Sequence, residues 1–177
     1  MQGSESQRAS PELDPKTLAA ELALRLIGRP ADGSQPAAGL ATLAPKQIVW
    51  VDAGDEVLLH LESIAVQIIA NSLVVSVDLE CDQTGRTPLV AAFALGTGSD
   101  AAGLVAVTDE LPHGNGLLAA RWGSQLQTAV WAAILGIAQD FAAQQNAAPR
   151  GIGAVDGLLH LEVGPPLQAA ASSTATP

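Results

Sequence analysis

One stretch constrains this chain more than any other: "LLAARWGSQLQTAVWAAILGIAQDFAAQQN", residues 117–146. Asn115 precedes it as a cap and Pro149 lies past its end, so the segment reads as one long helix. At about 100° per residue, Leu118, Trp122, Leu126, Ala129, Val130, Ala133, Ile137 and Phe141 share one arc. Trp131, Ile134, Leu135 and Ala138 widen that arc past half the circumference. A helix covering a single sheet face needs a narrower apolar stripe. This one must therefore be covered from two sides within the domain, or must offer its extra width to another chain. Trp is enriched where interfaces concentrate their binding energy. Trp131 and Leu135, which fall away from the centre of the stripe, are accordingly the expected partner-binding residues, and a homodimer through this helix is the expected assembly. The alternative is that the sheet and an N-terminal helix enclose it.

The rest of the chain supplies what such a helix packs against. In "SLVVSVDLECD" (72–82), Leu73, Val75, Val77, Leu79 and Cys81 alternate with Ser76, Asp78, Glu80 and Asp82, the period of a half-buried strand. "QIVWV" (47–51) and "EVLLHLES" (56–63) flank the turn "DAGD" and predict a hairpin, with "IAVQIIAN" (64–71) following. "LVAAFALG" (89–96), apolar on both faces, predicts a central strand, and "LVAVTDEL" (104–111) another. Short sequential connections make the sheet an antiparallel meander. Upstream, Asp14, Pro15, Gly28 and Pro30 bracket a helix over 15–28, with Leu18, Leu22 and Leu26 on one face. The Pro-, Gly- and Ala-rich residues 29–45 read as a linker. "GIGAVDGLLHLEVG" (151–164) reads as one closing strand. The expected fold is one α+β domain over 11–164: a meander packed by a long C-terminal helix and a short N-terminal helix, closed by a last strand. Residues 1–10 and 165–177 have the composition of disordered tails.

Charge and composition exclude several function classes. A net charge of −10 with no cluster of Lys or Arg disfavours nucleic acid and anionic membrane surfaces, and favours a basic or neutral partner. Aromatics are 3% of residues with no Tyr, so stacking on bases or sugars is poorly supplied. Cys81 is the single cysteine, which rules out an internal disulfide. There is no basic-then-apolar leader and no run of about 20 uninterrupted apolar residues, so the expectation is a cytoplasmic protein without a membrane span.

"LLHLE" occurs twice, at 58–62 and 158–162, and holds two of the three histidines. In a strand, His60 and Glu62 share a face, as do His160 and Glu162. Were the two strands neighbours, these four residues could hold a divalent transition metal. As ordinary half-buried strands, each copy would instead turn its leucines to the core and its His and Glu to solvent. Asp78, Glu80 and Asp82 form a carboxylate ladder, which does acid–base work only where a cleft drives the pKa values apart. "GTGSDAAG" (96–103) lacks the glycine spacing and following helix of a dinucleotide loop, so no cofactor is expected. "PHGNG" (112–116), with His113 and Arg121, could present a helix N-terminus to an anion. No CxxC, HExxH, P-loop or nucleophile elbow is present. The expected function is a non-enzymatic interaction or assembly factor, chaperone- or adaptor-like in general character. The alternatives are a small-molecule or metal-dependent enzyme using the His-X-Glu pairs, or a module that holds a small apolar ligand.

Overall fold

The structure is a computed structural model and describes residues 12–27, 46–95 and 111–166. Helix α1 (Pro15–Ile27) begins where Pro is preset for the first turn, and Asp14 caps it. The Asp14 carboxylate accepts from the backbone N–H of Lys16 (2.9 Å) and Thr17 (3.1 Å) and from the Thr17 hydroxyl (2.6 Å). Helix α2 (Gly116–Gln144) is capped by Asn115, whose side chain accepts from the backbone N–H groups of Leu117 and Leu118.

Strands β2 (Gln47–Asp52), β3 (Asp55–Ile69), β4 (Ser72–Cys81), β5 (Gly85–Ala94) and β6 (His113–Gly114) form an antiparallel sheet in that spatial order. The β2–β3 turn is the expected one: Ala53 and Gly54 both take positive φ (51° and 90°), the geometry whose twist matches a two-residue hairpin. "EVLLHLES" and "IAVQIIAN" fuse into the single strand β3, interrupted by a bulge. The register steps from His60↔Asp78 to Ala65↔Ser76, so β3 spends residues 61–64 where β4 spends only Val77. Ser63 mends the break: its hydroxyl donates to the His60 carbonyl and accepts from the Asp78 N–H, both at 2.7 Å.

The closing segment departs from expectation. It is a hairpin, β7 (Ala147–Val155) and β8 (Leu158–Pro166), turned at Asp156 and Gly157, both with positive φ. With β1 (Glu12–Leu13) it makes a second sheet of order β1-β8-β7. Pro166 ends β8, so the segment expected as a tail from 165 begins inside a strand. The expected linker 29–45, the loop 96–103, the strand 104–111 apart from Leu111, and the tails beyond these limits lie outside the described residues.

One core joins these elements. The inner rows Leu73, Val75, Val77, Leu79 of β4 and Leu89, Ala91, Phe93 of β5 meet Leu18, Leu22 and Leu26 of α1, most of the buried residues of α2, and Ile152, Ala154, Leu159 and Leu161 of the smaller sheet. Helix α2 borders β5 and β6 on one side, β7 and β8 on another, and α1 on a third. That enclosure accounts for its wide apolar arc. Arg25 of α1 lies across Gly136, where a Cβ would stand 2.8 Å from the guanidinium, and bonds Asp140 one turn on at 2.7 Å. By length and composition alone α2 would also serve to cross a bilayer, contrary to the sequence expectation; in this fold its apolar residues build the core.

Candidate functional site

The two "LLHLE" copies lie in different sheets. β3 pairs with β2 and β4, whereas β8 pairs with β1 and β7, so the strand adjacency that a shared metal site requires is absent. His160 sits beside Glu12 (3.7 Å) and is partly exposed, away from the His60 partners. Among the described residues, no three His, Cys, Asp or Glu side chains have the geometry to hold a metal ion.

His60 nevertheless differs from the plain-strand expectation. Leu59 and Leu61 are buried as expected, but His60 is only 3% exposed instead of facing solvent. Three polar side chains close over it. The Gln47 amide lies 3.0 Å from Nδ1, the Glu80 carboxylate 2.7 Å from Nε2, and Glu62 3.4 Å from Nδ1. With Nε2 protonated, Gln47 donates to Nδ1 and Nε2–H donates to Glu80; when Nδ1 also carries a proton, it donates to Glu62 instead. Arg86 extends the network, donating to Asp78 at 2.8 Å and reaching Glu62 at 3.4 Å. Asp78 chiefly raises the Arg86 pKa, and Glu62 is held below the usual carboxylate range by its own backbone N–H, with His60 and Arg86 adding to it. Two rungs of the carboxylate ladder, Asp78 and Glu80, are thus tied to Arg86 and His60. The network cross-links β2, β3, β4 and β5 on the sheet face opposite the core. Sequence spacing could pair His60 with Glu62; it held no signal for Gln47, Glu80 and Arg86, which only the strand register brings in.

The third rung, Asp82, borders a cleft of ≈ 730 Å³. The cleft lies where the β2–β3 turn, the β4–β5 turn and the first turns of α2 meet. Its apolar walls include Val49, Leu58, Leu117 and Trp122, and its carboxylates are Asp55, Glu56, Glu80 and Asp82. Arg121 supplies the positive charge among the lining residues, but it is engaged. It donates to Asp55 (2.8 Å), to the Asp52 carboxylate (2.7 Å) and to the Asp52 carbonyl (2.6 Å), and it lies 5.1 Å over the Trp122 ring. Asp55 and then Asp52 raise its pKa. An anion at this helix start would meet a guanidinium already neutralised by two carboxylates, with more carboxylates around it. The expected anion site therefore gives way to an acidic cleft. Cys81 also lines the cleft, half-buried, with its thiol 3.3 Å from the Thr84 hydroxyl, the main influence lowering its pKa.

Strand β2 carries the other exposed feature. It ends the larger sheet, and no other described strand pairs with its outer side. Val49 and Val51 are 56% and 52% exposed. Trp131 and Leu135, by contrast, lie at the margin of the core. Trp131 stacks on the buried Phe93 with ring centroids 5.5 Å apart, and Trp131 and Leu135 are themselves partly buried. Compared with known proteins, the chain matches no family model, no curated sequence and no solved structure.

Proposed function

We propose that the protein is a non-enzymatic interaction factor that receives a basic, apolar-bearing segment of a partner protein in the cleft at the end of its larger sheet. The observation that carries this reading is the pairing of apolar walls with carboxylates around one clamped arginine. Val49, Leu58 and Leu117 offer surface that gains by leaving water, while Glu56 and Asp82 attract cations from a distance. A chain of net charge −10 steers basic partners toward such a cleft and repels acidic ones. The two turns and Arg121 set the cleft's width, because Arg121 fastens α2 to the β2–β3 hairpin.

The test uses a short synthetic peptide of alternating lysine and leucine, with its glutamate–leucine counterpart as control. Trp122 lines the cleft, so its fluorescence reports occupancy. The basic peptide is expected to shift that emission and to bind more weakly as salt is raised. Glu56→Lys with Asp82→Lys should weaken binding by roughly tenfold or more, since each reversal replaces an attraction with a repulsion. Equal binding of the acidic peptide, or indifference to the double substitution, would overturn the reading.

A further inference from the structure

We infer that β2 is the contact of a two-fold symmetric homodimer, in which the β2 strands of two copies pair antiparallel about Val49 and join the larger sheets into one. Backbone register leads to this. Leu61 N–H donates to the Lys46 carbonyl at 2.8 Å, and the two-residue turn closes on the Asp52↔Asp55 pair. Lys46, Ile48, Trp50 and Asp52 therefore turn their backbone groups toward β3, and alternation aims those of Gln47, Val49 and Val51 away from the sheet. Exposed edges of this kind are templates for another strand, and proteins blunt them with lysine, proline or bulges. The run Gln47–Val51 has none of these: it is uncharged, free of Pro and Gly, and rich in β-branched and aromatic residues.

The occupant follows from self-complementarity. In an antiparallel pair centred on Val49, Val49 faces Val49 and Gln47 faces Val51, and these are the residues whose N–H and C=O groups point away from β3 and pair with no other described strand. Ile48 then faces Trp50, whose ring is buried in its own core, and at each end Lys46 faces Asp52, a position of opposite charge whose carboxylate also holds Arg121. A second copy thus satisfies the edge without placing carboxylate against carboxylate, which matters in a chain this acidic. Val49 also lines the cleft, so the junction sets the clefts of the two copies beside one another. The dimer does not depend on what the cleft holds.

The test is register-specific. Residues directly opposite in a hydrogen-bonded antiparallel pair have Cα atoms about 5.5 Å apart, within disulfide reach. In a Cys81→Ser background, Val49→Cys should oxidise to a covalent dimer in high yield, whereas Val51→Cys, which faces Gln47, should not. Light scattering should give twice the chain mass for the native protein, and Val49→Pro, which removes an outward N–H, should halve it. A monomer for the native protein, or a dimer whose mass survives Val49→Pro and whose position 49 does not cross-link, would overturn the inference. The latter result would return the interface to Trp131 and Leu135 on α2. Because neither measurement involves a peptide, a failure here leaves the cleft reading standing, and the reverse holds too.

Discussion

At the scale of single residues, short-range hydrogen bonds decide where this chain's elements begin. Asp14 is the clearest case: one carboxylate satisfies two N–H groups at the start of α1 and a threonine hydroxyl. The Thr17 hydroxyl, and after it the Thr17 N–H, hold the Asp14 pKa below the usual carboxylate range. A depressed folded-state pKa means that the cap stabilises fully above the unfolded value of about 3.9 and loses its effect as pH falls through the lower folded value. Asp14→Ala should therefore lower the melting temperature at neutral pH, and the gap from the native protein should narrow as the solution is acidified below that range. Calorimetry across pH checks this, and a gap constant with pH would show that the charge has no part in the cap. Caps of this kind were legible in the sequence because both partners lie within three residues. The burial of His60 was not, since Gln47 and Glu80 reach it only through pairing between strands.

At the scale of elements, the hydrophobic period marked both helices and the strands from Gln47 to Ala94, because each alternation or stripe is a local property of the chain. What it missed has a physical cause in each instance. The bulge in β3 preserves the apolar pattern on either side and needs Ser63, an unremarkable residue in sequence, to take over two backbone bonds. Ser63→Ala should leave the Asp78 N–H and the His60 carbonyl without these partners, at a cost of about 1–3 kcal/mol in denaturant unfolding. A change within a few tenths would mean that the bulge closes by other means. The β7–β8 hairpin resembles one strand in the sequence although Asp156-Gly157 is a turn signal in its own right, since apolar residues run close on both sides of it. The second sheet depends on that turn, and with it the enclosure of α2 on a further side.

At the scale of the whole molecule, the enclosure of α2 moves attention from helix to sheet edge. An over-wide apolar helix suggests an interface when its neighbours are unknown; with two sheets and α1 around it, the width is spent inside the domain. Sequence could identify Trp131 and Leu135 as unusual, but not that Phe93 lies against the Trp131 ring. It could propose metal ligands in the repeated "LLHLE", but not that the copies belong to separate sheets. The end of the larger sheet, where no other described strand pairs with β2 and the acidic cleft lies, is a property of the assembled fold and had no local signature. If β2 is where two copies of this chain meet, residue-resolved amide hydrogen exchange will read the contact strand by strand. The N–H groups of Ile48 and Trp50, turned toward β3, should be protected at every protein concentration. Those of Val49 and Val51 should exchange rapidly in dilute solution and become protected as concentration rises and the strands pair. Protection at Val49 and Val51 that does not change with concentration would contradict it.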